Sequence, residues 1–202
     1  MTTCAAAIKA WEEETKEKAA DARKVLLYCQ IPPITKMDAK LNDLTKCQHL
    51  SLSTNCIERL SALSIPDLKI LSIGRNHLKK IEKLEGIAGS LEELWASYNS
   101  ISSLDGIPSL SKLQVLYLSN NKVKSWDELD KLQAMSDLRD ILLIGNPIYE
   151  AFTPEQQRVE VLKRLPQLTK IDGVVVTPGE REMAAGGGSI PPSARSGGKS
   201  PR

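Results

Sequence analysis

LQVLYLSNNKV, residues 113–123, decides how this chain folds. Its apolar residues stand at Leu113, Leu116, Leu118 and Val123, with Asn121 between the last two. The alternation around Leu116 is that of a short strand with one buried face. The asparagine follows where the chain must leave that strand. The same pattern returns as CQHLSLSTNCI (47–57), LKILSIGRNHL (68–78), LEELWASYNSI (91–101) and LRDILLIGNPI (138–148). The asparagines Asn55, Asn76, Asn99, Asn121 and Asn146 are spaced by 21, 23, 22 and 25 positions. Five tandem matches at a near-constant period mark stacked copies of one structural unit. An irregular unit, IPPITKMDAKLNDL, precedes them with Ile34, Met37, Leu41 and Leu44 as its apolar positions.

These units predict an α/β fold, a leucine-rich-repeat solenoid of about six repeats. Its parallel β-sheet forms the concave face, and short helical turns cover the convex face. Apolar residues recur about every third position on each return path, as in Val123, Trp126, Leu129 and Leu132. That spacing suits 3₁₀ or short α turns. An asparagine amide both donates and accepts, so the five asparagines are expected to form a structural ladder satisfying backbone groups of adjacent coils. A solenoid exposes its core at both ends and needs caps. Residues 1–30 are read as an N-terminal capping helix over 4–29, with Ile8, Trp11, Ala19, Ala22, Val25 and Leu26 on one face and Pro32 and Pro33 as the stop. The repeats occupy 31–152. Residues 153–185 form the C-terminal cap, where Thr153-Pro154-Glu155-Gln156 has the form of a capped helix start and Val159, Leu162 and Leu165 the buried stripe. The Gly/Ser/Pro-rich stretch 186–202 reads as a disordered tail.

Composition narrows the function. Aromatic residues make up 4% of the chain, which suits a core of stacked aliphatics. The formal net charge is +2, with the excess in the tail, so nucleic acid is not an expected partner. The early charged run Glu12-Glu13-Glu14 argues against a signal segment, and no stretch approaches the roughly 18 apolar residues of a membrane span, so no membrane association is expected. The four cysteines form no C-x-x-C pair, and a reducing, cytoplasmic setting is expected. The two histidines, His49 and His77, lie on different units with no nucleophile at a recognisable spacing. No phosphate loop or metal-binding His pattern occurs, so catalytic residues, metal and cofactors are all expected to be absent.

The concave face is where the sequence departs from an ordinary solvated sheet. Between the inward aliphatics, the central outward position reads Ser51, Ser72, Trp95, Tyr117 and Leu142. The position before it reads His49, Ile70, Glu93, Val115 and Asp140, and the one after reads Ser53, Gly74, Ser97, Ser119 and Ile144. Ile70, Trp95, Val115, Tyr117, Leu142 and Ile144 are therefore expected to form one contiguous apolar patch that binds a protein partner. The alternative is that the chain's own N-terminal segment or tail covers them. Trp11 and Trp126 fall at cap or core positions and are expected to be structural. Arg75 and Tyr98 are read as turn residues at the rim.

IPPITKMDA, LSLSTNCIERL, LSIGRNHLKKIEKL, LEELWASYN, LYLSNNKVKSW, GNPIY and VLKRLPQLTKIDG together resemble the axonemal outer-arm dynein light chain 1 family, over about residues 5–183. The LxxLxLxxN pattern alone would not discriminate among leucine-rich proteins. The IPP entry, the LEELW-x-SYN unit and the RLP-x-L-x-K-x-DG cap are more specific. The resemblance implies a non-catalytic light chain in the axoneme of cilia or flagella. It implies binding to the dynein heavy chain at its microtubule-binding domain, beside tubulin, and modulation of microtubule engagement and beating. Carried onto this sequence, the patch around Trp95, Tyr117 and Leu142 would hold the heavy chain, and Arg181 would be a candidate tubulin contact. The alternatives are a leucine-rich-repeat regulator of a protein phosphatase and a spliceosomal-type RNA-protein adaptor. The first predicts more repeats and lacks the IPP entry; the second predicts a more basic face.

Overall fold

The computed structural model describes residues 1–186, and the tail expectation for 186–202 lies outside them except at Gly186. Eight strands form one sheet in chain order: β1 (Lys24–Leu26), β2 (His49–Ser51), β3 (Ile70–Ser72), β4 (Glu93–Trp95), β5 (Val115–Tyr117), β6 (Asp140–Leu142), β7 (Lys170–Ile171) and β8 (Val174–Val175). β1 to β7 pair in parallel, and β8 turns back antiparallel. Four helices accompany them: α1 (Cys4–Thr15), α2 (Trp126–Asp130), α3 (Pro154–Arg164) and α4 (Pro178–Ala184). Single 3₁₀ turns at Ala39–Asp43, Glu85–Ile87 and Pro147–Tyr149 complete the return paths. This is the leucine-rich-repeat solenoid that the period predicts.

Each coil donates the same residues to one continuous core. Val25, Leu50, Leu71, Leu94, Leu116, Ile141 and Ile171 align across the sheet and are fully buried. Neighbouring return paths approach so closely that some positions have no room for a side chain. A Cβ added at Gly106 would lie 2.0 Å from the carbonyl oxygen of Ile81 on the preceding coil.

The five asparagines form a buried ladder along the strand-exit edge. The Asn121 side chain accepts the Ile101 backbone N–H at 3.0 Å and donates to the carbonyls of Ala96 and Leu118 at 3.1 and 3.0 Å. Asn55, Asn76, Asn99 and Asn146 repeat this arrangement, accepting from Ile34, Ile57, Leu78 and Val123 in turn. Each amide thus ties its own turn to the coil before it. The residue preceding each asparagine pays for this geometry with a left-handed backbone: Thr54, Arg75, Tyr98, Asn120 and Gly145 all have positive φ.

The N-terminal segment corrects the sequence reading. The expected helix over 4–29 ends at Thr15, where Lys16 adopts φ 63° and closes it. The Glu12 carboxylate then accepts the Ala19 N–H at 2.8 Å and turns the chain back. Val25 lies on strand β1, and Leu27 rather than Leu26 is its fully buried neighbour. The apolar spacing of two at Val25 and Leu27 prevails because β2 offers unpaired backbone groups to an added strand. Helix α1 itself is capped by the Thr3 side chain and tied to the first coil through Cys4 N–H to Asp38, 3.1 Å.

At the other end α3 begins on the Thr153 capping box with Pro154 at its first position, and Val159, Leu162 and Leu165 are buried. A second capping box, Thr177 with Glu180, starts α4. Arg158 holds the two helices together. Its guanidinium donates to Glu180 and to the Ile171 carbonyl, the latter at 2.6 Å. Trp126 packs against Tyr149 and Phe152, with the Arg164 guanidinium 4.7 Å from its ring centre, in keeping with a structural role.

Candidate functional site

Strand register places the candidate residues in rows on the concave face. The central row runs Leu26, Ser51, Ser72, Trp95, Tyr117, Leu142. Beside it runs Lys24, His49, Ile70, Glu93, Val115, Asp140, Lys170. Trp95, Tyr117, Leu142, Ile70 and Val115 are half-buried, and Ile144, just past β6, is 58% exposed. All six sequence-derived residues therefore share one face.

The rings of Trp95 and Tyr117 stack, with centroids 6.2 Å apart and planes 20° from parallel. His49 meets the Trp95 ring edge-on at 5.6 Å and lies 3.3 Å from the Ser72 hydroxyl. Burial, helped by the charge of Lys24, lowers the His49 pKa and favours its neutral ring. Small residues open the space beyond the rings: Ser119 donates to Ser97 across adjacent coils at 2.8 Å.

The expected unbroken apolar patch needs correction. Glu93 and Asp140 lie in the same row as Ile70 and Val115 and interrupt it. Each acid serves a ring: the Trp95 indole N–H donates to Glu93 at 2.9 Å, and the Tyr117 hydroxyl donates to Asp140 at 3.1 Å. Lys170 reaches the same Asp140 oxygen at 3.0 Å. The carboxylates satisfy polar ring edges that a wholly apolar surface would leave unpaired. Burial and the neighbouring Asp140 charge push the Tyr117 hydroxyl above its ordinary pKa, so it stays a neutral donor. The result is a pair of half-buried rings locked in place on the concave face. Anchors held this way lose little freedom on binding.

Sequence reading missed three participants. His49, which the spacing shows only as an outward position, packs edge-on against the Trp95 ring. Glu93 and Asp140 are outward positions whose bonds to the rings the spacing does not reveal: Glu93 lies two residues before Trp95 on β4 and meets it through side-chain orientation, whereas Asp140 meets Tyr117 through the register between β5 and β6. Asp172 ends the asparagine ladder. Its Oδ1 accepts the Leu143 and Ile144 N–H groups at 2.6 and 2.9 Å, and its Oδ2 accepts the Tyr149 hydroxyl at 2.9 Å. The Asp-Gly pair at 172–173, both with positive φ, was the available signal.

Arg181 lies apart, on α4. Its guanidinium donates to the carbonyls of Pro166 and Leu168, each at 2.7 Å, and so binds the final turn to α4. Burial raises the thiols of Cys4 and Cys47 to about 11, which keeps both protonated. Among the described residues, no cluster of three or more His, Cys, Asp or Glu could hold a metal ion, and no helix is long and apolar enough to cross a membrane.

A family model of leucine-rich repeats, in two copies, matches residues 90–131, the coils that carry Trp95 and Tyr117. The chain is 52% identical to dynein axonemal light chain 1 of Chlamydomonas reinhardtii over 188 residues, 91% of this chain and 95% of that one. The chain belongs to the dynein axonemal light chain 1 family. It is 50% identical to the Danio rerio member and 46% identical to the Homo sapiens member, in each case over 90% of its own length. These matches cover 95% and 96% of those proteins. Among solved structures, a leucine-rich-repeat protein of Leptospira interrogans aligns with TM-score 0.61 at 24% identity, over 75% of this chain and 37% of that one. A chain of the Drosophila melanogaster SNF/U2A′ complex aligns with TM-score 0.54 at 19% identity, over 76% and 92%. At such identities these two similarities speak for the fold alone. Membership of the family rests on the full-length relatives.

Proposed function

We propose that this chain is a non-catalytic light chain of the axonemal outer dynein arm that uses its concave face to hold the motor heavy chain. The proposed docking residues are Ile70, Trp95, Val115, Tyr117, Leu142 and Ile144. The observation that carries this is the Trp95–Tyr117 stack, half-open on the sheet of a member of the dynein axonemal light chain 1 family. Two adjacent rings on a rigid strand surface are typical binding anchors. The site on the heavy chain is its microtubule-binding domain at the stalk tip, and the place of work is the axoneme of a cilium or flagellum.

The mechanism is mechanical and electrostatic. Each coil braces the next through the ladder, so the solenoid acts as a stiff wedge beside the stalk tip. It modulates microtubule engagement and beating to the extent that its contacts differ between strong and weak binding states. Arg181 is the proposed tubulin contact. Its bonds to two backbone carbonyls hold the side chain in a fixed, exposed position.

Capture from ciliary extract tests the reading. The wild-type chain should retain a dynein heavy chain, and a Trp95→Ala, Tyr117→Ala double variant should lose it. Recovery of a phosphatase with no heavy chain would replace this function with the regulatory alternative.

A further inference from the structure

Glu93 stands among the proposed docking residues yet is itself charged. In its row it lies between Ile70 on β3 and Val115 on β5, and Trp95 follows two residues along β4. A partner that covers those three side chains also covers Glu93. The carboxylate is already half-buried. The Trp95 indole N–H, 2.9 Å from Oε2, is its one hydrogen-bond donor among the described residues. An ionised carboxylate has room for about four.

Among the described residues Glu93 forms no ion pair. The cations of its own row, Lys24 and Lys170, each stand three coils away, roughly 14 Å at about 4.8 Å per coil. That exceeds the screening length of about 8 Å in physiological salt. His49, two coils away, has its pKa lowered by burial and by Lys24, so its ring is neutral. The adjoining strand-entry row carries Arg23, Lys69 and Arg139. Arg23 enters β1 on the coil of Lys24. Lys69 pairs with Glu92 at 2.9 Å, and Lys112 opens on the same hollow as that pair. Arg139 donates to the carbonyls of Ser136 and Leu138. On the other side, the central concave row from Leu26 to Leu142 holds no charge. At the far rim Arg75 lies over the Tyr98 ring, 4.3 Å from its centre.

The other acid of the row shows what is missing. One oxygen of Asp140 accepts both the Tyr117 hydroxyl, at 3.1 Å, and the Lys170 ammonium, at 3.0 Å. At Glu93 the ring donor is present and the lysine is absent. Docking strips water from this carboxylate, which is strongly unfavourable unless a cation is set against it. We propose, on the concave-docking reading, that Glu93 receives a lysine or arginine side chain of the docked polypeptide. The segment held by the rings then carries one cation beside its apolar contacts. Such a pair selects the partner, because a segment with an apolar or acidic residue at that place leaves Glu93 buried and unpaired.

Biolayer interferometry with the full-length chain tests this, using dynein heavy chain purified from axonemes and freed of its own light chain. Each variant is measured below its melting temperature. Wild-type binding should weaken as salt is added. Glu93→Gln keeps an acceptor for the indole N–H and removes the charge. It should raise Kd by about tenfold or more and reduce the salt dependence. Glu93→Lys should weaken binding further. Glu92→Gln removes the same charge one residue away, at an acid that already has its lysine, and should leave Kd unchanged. Wild-type Kd and salt dependence in Glu93→Gln, with binding lost in Trp95→Ala, Tyr117→Ala, would overturn the proposal and leave concave docking intact. Wild-type binding by that double variant would remove the docking reading and this one with it. Wild-type binding that tightens as pH falls, an effect lost in Glu93→Gln, would mean that Glu93 docks as a neutral acid and would also overturn the proposal.

Discussion

Asn146 carries the last full rung of the ladder. It accepts the Val123 N–H at 3.0 Å and donates to Leu118 and Leu143 at 2.8 Å each. Serine is too short to span these groups. Asn146→Ser should therefore leave buried backbone unpaired, at about 1–3 kcal/mol for each group. At about 2–4 °C per kcal/mol for a chain of this size, the melting temperature should fall by several degrees, and an unchanged melt would remove Asn146 from the ladder. Gly106 gives a second residue-scale expectation. Its Cβ position is 2.0 Å from the Ile81 oxygen, so Gly106→Ala must push two coils apart and should lower the melting temperature. A melt equal to wild type would show that the coils have slack. The ladder was legible in the sequence because asparagine recurs at one place in every unit. Its terminal member was not, since Asp172 lies outside the repeat pattern and acquires its partners only when β7 docks on β6.

Among the elements, the C-terminal cap depends most on charge. The Arg158 guanidinium is the main cause holding the Glu180 pKa down to about 2, from an ordinary 4.5, and the Thr177 bonds add to it. A lowered carboxylate pKa stabilises the fold above the unfolded value. That contribution is lost as pH falls from about 4.5 toward about 2. At 1.36 kcal/mol per pKa unit it amounts to up to about 3 kcal/mol. Thermal melts should fall across that acid window, and Glu180→Gln should flatten the part of the fall due to this group; an identical profile in the variant would assign the acid response elsewhere. The α3 start was readable because a capping box is a local signature. Helix α1 was overextended because Ala19, Ala22 and Val25 fit a helical face as well as the observed turn and strand. The deciding influence was the open edge of β2, which lies far along the chain.

For the whole molecule, the question is whether the ring pair serves the partner or the fold. Trp95 and Tyr117 are half-buried, stacked and tied to acids, so removing them costs some stability. An aromatic pair contributes about 0.5–1.5 kcal/mol beyond its buried area. The double alanine variant should thus melt a few degrees lower while remaining folded at room temperature, and lose heavy-chain binding by far more than that change explains. Wild-type affinity in the variant would discard the concave-face assignment.

The sequence by itself determined the coil, the inward and outward positions of each strand, the asparagine edge and the face on which Trp95 and Tyr117 stand. A residue's side of a strand depends on its neighbours two positions away, and that information is local and repeated. Tertiary structure alone decided that β1 extends the sheet, that Glu93 and Asp140 bond to the rings, that Asp172 ends the ladder and that Arg181 grips Pro166 and Leu168. Apart from the Glu93–Trp95 bond, which joins two residues of one strand face and depends on side-chain orientation, each of these is a contact between groups brought together by packing, and sequence periodicity says that coils stack without saying which polar atoms then meet.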